Sequence, residues 1–123
     1  MIYKPFDVVV VPFPFTDAAR SKRRPALVLS QNKNIGDEIE HSVLAMITSL
    51  KNEPWPLDCT IINKKQSGLT APSVVRMKLF TLDNRFILRK IGQLTKNDRN
   101  QVKRSLLQIF DYLQAGHTFK NVN

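Results

Sequence analysis

Between Lys22 and Leu29 the chain sets Lys-Arg-Arg directly against Ala-Leu-Val-Leu, with only Pro25 between the charges and the apolar run. Three fixed cations need water or a partner, whereas the four apolar side chains need burial. Pro25 biases Arg24 toward extended backbone and away from helix. The join therefore belongs where a strand leaves solvent and enters a core, and it holds the Arg24 guanidinium at the mouth of a rigid strand. Such a group can grip a phosphate; a merely solvated loop has the same composition.

The rest of the chain fits a strand-rich fold around that join. Val8 to Val11 is an unbroken valine run and reads as a buried strand. Pro12 and Pro14 lack the N–H of a ladder, so pairing should end there or lie on an edge. Asp7 is expected to cap or pair locally. A loop from Thr16 to Arg24 brings Arg20, Lys22 and Arg23 beside Phe13 and Phe15, rings that serve either the core or a stacking face. Ala26–Leu29, Ser42–Leu50, Asp58–Asn63, Ser73–Leu82 and Phe86–Ile91 read as further strands, with Arg76 and Lys78 on one face. A polar loop opens at Gln31. Pro54-Trp55-Pro56 forbids regular pairing and leaves Trp55 as either a lid or an exposed ring. Lys64 to Pro72 reads as a basic turn region. Thr95 is a helix N-cap, with Asp98 placed to meet the N-terminal dipole. Val102, Leu106, Ile109, Phe110 and Leu113 form one apolar stripe behind it. Short strands followed by a terminal helix predict a mainly β fold, a small barrel with a C-terminal helix.

At 123 residues the expectation is a single domain over 1–115 and a flexible tail over 116–123. The 19 Lys and Arg against 10 Asp and Glu leave a charge of +9, which favours a polyanionic partner. Cys59 is the only cysteine, so an internal disulfide is excluded and the residue reads as small buried packing. No apolar run approaches membrane-spanning length and the N-terminus lacks signal-peptide architecture, so no membrane association and a cytoplasmic location are expected.

The sequence has no Walker loop, dinucleotide fingerprint, His-Glu-x-x-His or paired-Cys motif. His41 and His117 are a nominal acid–base pair, but His117 belongs to the tail and His41 reads as surface. What remains is Arg24, Thr48, Ser49, Arg76 and Lys78, a set suited to RNA phosphodiester chemistry with neither metal nor cofactor. There the 2′-hydroxyl attacks its own phosphate, and the protein need only align the backbone and stabilise the phosphorane oxygens. Arginine offers a two-donor fork and a hydroxyl one further donor.

These residues lie in an ordered set of short motifs. Val-Val-Pro-Phe-Pro-Phe-Thr-Asp comes first, then Lys-Arg-Arg-Pro-Ala-Leu-Val-Leu-Ser, Ala-Met-Ile-Thr-Ser, Gly-Leu-x-x-Pro-Ser-Val-Val-Arg and Phe-Thr-Leu-Asp. The set, spanning most of residues 6–113, resembles the MazF/PemK family of type II toxin–antitoxin modules. The resemblance implies an SH3-like barrel of the PemK/CcdB type, a homodimer, an acidic antitoxin partner and endoribonuclease activity on single-stranded RNA, that of an mRNA interferase. It implies that Arg24 and Thr48 are catalytic; Arg76, Lys78 and Ser49 are, by their own chemistry, further candidates for catalysis or phosphate binding. Thr16, Arg20, Lys22, Arg23 and Gln31 are expected to bind RNA. The chain departs from the family pattern twice. Phe6-Asp7 replaces the common Gly-Asp opening, and Lys78 stands where some relatives carry an acidic proton acceptor, which leaves the acceptor open. The alternative is a barrel that binds nucleic acid or a protein target without cleavage, like the gyrase poisons of this fold.

Overall fold

The computed structural model describes residues 3–13, 22–30 and 40–111. Its frame is an antiparallel sheet of β1 (Asp7–Phe13), β2 (Lys22–Val28), β3 (His41–Ser49), β4 (Cys59–Thr60), β5 (Ser73–Asp83) and β6 (Arg89–Gln93). The strand order is β4-β5-β3-β2-β1-β6. A helical turn, α1 (Lys64–Ser67), and a longer helix, α2 (Lys96–Ile109), complete it. The sheet curls into a half-barrel with a C-terminal helix, the mainly β architecture expected from the sequence.

The valine run is continuous because both faces of β1 are covered. Val8 packs with Leu27, Ala45, Ile47 and Val75 on one face, a core that Leu94 and Val102 close. Val9 and Val11 pack with Ala26, Val28, Leu44 and Leu82 on the other. Against the β6 edge packs α1, followed by Gly68, which meets β6 beside Gly92. A Cβ on Gly92 would collide with the backbone of Gln66 and Ser67, and one on Gly68, at φ +77°, with the carbonyl of Ile91. Only glycine permits this contact.

Some boundaries differ from expectation, each for a visible reason. β1 continues through Pro12, opposite Arg23, because its pairing with β6 stops at Val10 and the outer side there is an edge. Only Cys59 and Thr60 pair within Asp58–Asn63, because the N–H groups of Ile62 and Asn63 donate to the Asp98 carboxylate at 3.2 Å each. Asp98 is thus a tertiary clasp as well as a first-turn acid. Phe86 lies in a 3₁₀ turn, Asn84–Phe86, capped by the Asp83 carboxylate, so β6 begins at Arg89. The expected Thr95 cap forms, its hydroxyl accepting from Asp98 N at 3.3 Å. Val102 and Leu106 dock on the core, whereas Ile109 and Phe110 are exposed at the helix end. Leu113, His117 and the tail lie outside the described residues.

Phe6, like Leu57, departs from ordinary backbone. It sits at φ +73°, the left-handed region that favours glycine, where the resembling family carries its common Gly. Its N–H donates to Val28 O at 2.7 Å and its carbonyl accepts from Leu94 N at 3.0 Å. The ring lies 5.9 Å from Arg99 and 5.7 Å from Lys103 of α2. Asp7 beside it pairs locally with Lys4 N at 2.9 Å and, across to β6, with Lys90 Nζ at 3.1 Å. Cys59 is buried against Ser105 Oγ at 3.2 Å, and burial pushes its thiol up.

Candidate functional site

The site begins where β2 and β3 part. Their ladder runs Val28↔Leu44, Leu27↔Ala45, Ala26↔Met46 and goes no further. The next residue on β2 is Pro25, which has no N–H to extend it. β2 stays paired to β1 as far as Lys22, so the strand is held while its β3 side opens. The opening is a cleft of about 220 Å³ whose lining includes Arg24, Pro25, Thr48, Ser49, Thr70 and Ser73. A neighbouring depression of about 350 Å³ continues from Ser49 over Leu50, Lys51 and Pro72.

Sheet register explains the grouping. Paired residues share a face, and residues two apart on a strand share it too. Carrying Ala26↔Met46 onward by two sets Arg24 level with Thr48, which pairs with Val74 of β5 and, across it, Thr60 of β4. Arg76, opposite Met46, shares that face one row along, about 7 Å by strand rise. The structure thus brings Arg24, Thr48 and Ser49 to one cleft, with Arg24 exposed and Thr48 half-buried.

Thr48 has a partner that the sequence gave no reason to suspect. Asn52 Nδ2 donates to Thr48 Oγ1 at 2.6 Å, on a turn closed by Asn52 N to Ser49 O at 3.1 Å. With that lone pair occupied, the Thr48 hydroxyl proton is free to turn to a further acceptor. Ser49 Oγ instead accepts from Lys51 N at 3.1 Å, which ties it to the turn.

Arg76 is engaged elsewhere. Its Nε donates to Asp58 Oδ1 at 3.2 Å, and its Nη2 donates to Asp58 Oδ2 at 3.0 Å and Glu53 O at 2.7 Å. Both side chains of this fork are nearly buried. Burial pushes the Asp58 carboxyl up. The hydrogen bonds from Arg76, the Trp55 N–H and the guanidinium charge outweigh it and hold the group below its ordinary value. Trp55 lies over the cation, with its ring centroid 4.9 Å from Arg76 Cζ and 5.9 Å from Lys78 Nζ. Lys22, Arg23 and Lys78 are exposed; Thr16, Arg20 and Gln31 fall outside the described residues. The turn between β3 and β4 contributes Asn52 as the donor to Thr48 and, through Glu53 O and Asp58, the clamp on Arg76.

A family model described as "PemK-like, MazF-like toxin of type II toxin-antitoxin system" matches residues 4–110. The chain belongs to that family. No curated protein matches it significantly. Solved PemK/MazF-like structures share the fold at low identity. The toxin MazF-mt6 of Mycobacterium tuberculosis is 20% identical, with TM-score 0.65 over 85% of this chain and 96% of its own. The MazE–MazF structure (Form-III) from Deinococcus radiodurans is 21% identical, with TM-score 0.69 over 90% of this chain and 98% of its own. A mycobacterial endoribonuclease solved with its cognate antitoxin is 14% identical, with TM-score 0.68 over 91% and 98%. Within the PemK/MazF-like fold of this chain, the split ladder is the feature that exposes an arginine and a threonine side by side.

Proposed function

We propose that the chain is a metal-independent endoribonuclease toxin that cleaves single-stranded RNA through its own 2′-hydroxyl. The observation that carries this reading is the cleft where β2 leaves β3, lined by Arg24 and Thr48 together. A phosphodiester entering it meets the Arg24 fork and the Thr48 hydroxyl. As the 2′-oxygen attacks phosphorus and the 5′-oxygen leaves, both groups donate to the phosphorane oxygens, where negative charge grows. Lys22 and Arg23, exposed next to Arg24, hold the flanking backbone by charge. Arg76 supports the site from within, because its Nε and Nη2 donors are committed to Asp58 and Glu53.

As its toxin–antitoxin family implies, the chain acts as a homodimer and is neutralised by an antitoxin, whose acidic segment would complement the net charge of +9. A mycobacterial endoribonuclease of the same fold is solved with its cognate antitoxin. Its place of action is the cytoplasm, where RNA is found. No helix among the described residues is long and apolar enough to cross a membrane.

The test is incubation with mixed-sequence RNA in chelator, followed by chemical mapping of the ends. Cleavage leaving 2′,3′-cyclic phosphate and 5′-hydroxyl ends supports the reading. RNA bound but uncut favours the non-cleaving barrel, for which Lys78 in place of an acidic residue is the pointer.

A further inference from the structure

We infer that Trp55 is a base-stacking platform, a subsite for one unpaired nucleobase next to the cleft; the inference rests on the RNA reading above. The ring is 44% exposed although it is large and apolar. It is nevertheless held firmly. Trp55 N donates to Asp58 Oδ2 at 2.9 Å, and Asp58 N donates back to Trp55 O at 3.3 Å. Prolines on both sides restrict the backbone further.

Beneath the ring, Arg76 is fixed by the Asp58 carboxylate and the Glu53 carbonyl, so the cation supporting the indole is itself immobile. Lys78, two residues along the same face of β5, stands at the rim. An indole with one side seated on a guanidinium and much of its surface in water offers a rigid aromatic face at little entropic cost. Every nucleobase has a complementary π-face.

Position supplies the second argument. Arg76 is one row, about 7 Å, from the level of Thr48 on the same face of the sheet. The segment carrying Trp55 is the one whose Asn52 bonds to Thr48. A strand of RNA with a phosphate in the cleft therefore carries an adjoining base toward the ring. Lys78 Nζ, exposed at the rim, meets that nucleotide's phosphate. Stacking at this point fixes the register of the substrate against Arg24 and Thr48, so Trp55 acts on binding more than on the chemical step.

Trp55 is the only tryptophan of the chain, so intrinsic fluorescence reports on this ring alone. The experiment titrates the full chain with mixed-sequence, dye-labelled 2′-O-methyl RNA, which lacks the attacking hydroxyl. Dye anisotropy gives binding and tryptophan emission gives contact with the ring. An abasic oligonucleotide of equal length is the control. The expected result is binding of both, with emission quenched by the base-bearing strand and not by the abasic one. Trp55→Ala should weaken base-bearing RNA by roughly 5- to 100-fold. Trp55→Phe should keep most of the affinity. On cleavable RNA, Trp55→Ala should raise KM with kcat nearly unchanged. Binding without quenching, or equal affinity in Trp55→Ala, overturns the platform while leaving the nuclease reading intact, and assigns the ring to a protein contact instead. Absence of any RNA binding by the wild-type chain overturns both. Quenching in the wild type is decided without any variant, so a misfolded Trp55→Ala does not blur the outcome.

Discussion

Asn52 Nδ2 lies 2.6 Å from Thr48 Oγ1, four residues back across the turn that follows β3. An amide donor there occupies a lone pair of the hydroxyl and leaves its proton for a substrate oxygen. Replacing the donor by a pure acceptor should reverse this. Asn52→Asp draws the Thr48 proton onto itself and should lower the cleavage rate more than Asn52→Ala, which merely frees the hydroxyl. In a Thr48→Val background both changes should have little further effect. Single-turnover rates for the three single and two double variants check the coupling.

Arg24 is exposed at the cleft, and under the proposed mechanism its charge matters most when the phosphorane forms. Arg24→Ala should reduce the cleavage step by ~10²–10³, as loss of an oxyanion donor does. Arg24→Lys should recover only part, because a point charge does not reproduce the fork. RNA affinity should fall less than rate in both, measured by filter binding to 2′-O-methyl RNA.

The Asp58–Arg76 fork predicts an acid-sensitive stability. Asp58 titrates lower in the fold than in the unfolded chain. Its contribution is therefore fully present above the unfolded value, near the ordinary carboxylate pKa, and disappears as pH falls through the lower folded value. Asp58→Asn should remove that part of the acid dependence and destabilise at neutral pH by on the order of 3 kcal/mol, since it leaves a nearly buried guanidinium without its carboxylate. Denaturant melts between neutral and strongly acidic pH read both effects.

Much of this fold can be read along the chain, and what cannot has a common cause. Val8–Val11, Ser42–Leu50, Ser73–Leu82 and the Thr95-capped helix carry period, length or cap in their own residues. Boundaries slip where a distant group takes over the backbone. Asp98 draws the N–H groups of Ile62 and Asn63 out of β4; only the turn at Phe86 is set locally, by the Asp83 cap on Arg85 N. The same holds at the site. The Arg24 join is visible because Pro25 is its neighbour. The commitment of Arg76 is not, because Asp58 is eighteen positions away. Trp55 could not be placed from its flanking prolines alone; its partner lies on another strand.

Phe6 gives a stability test with an unusual sign. At φ +73° a side chain is strained, and glycine is not. Phe6→Ala loses the ring and keeps the strain, whereas Phe6→Gly loses both. The glycine variant should be the more stable of the two by about 1 kcal/mol. Thermal melts of the pair decide it.

The contact of α1 with β6 should tolerate no added carbon. Gly92→Ala places a methyl group into the backbone of Gln66 and Ser67, which cannot yield as a side-chain tip would. A loss of more than about 3 kcal/mol is expected, beyond the range of most single substitutions. Denaturant unfolding should show it, with Gln93→Ala, exposed next door, as the neutral comparison.

The bonds made by Phe6 also have a meaning in time. Its N–H reaches Val28 and its carbonyl is held by Leu94, so the first strand is fastened by a residue that a ribosome adds much later. Leu94 and Val102 belong to the same core as Val8 and Leu27. A nascent chain can carry Arg24, Thr48 and Trp55 into the open long before that core closes. On the RNA-cleaving function proposed above, assembly order then serves as a safeguard: the cleft becomes rigid only after most of the message encoding it has been read.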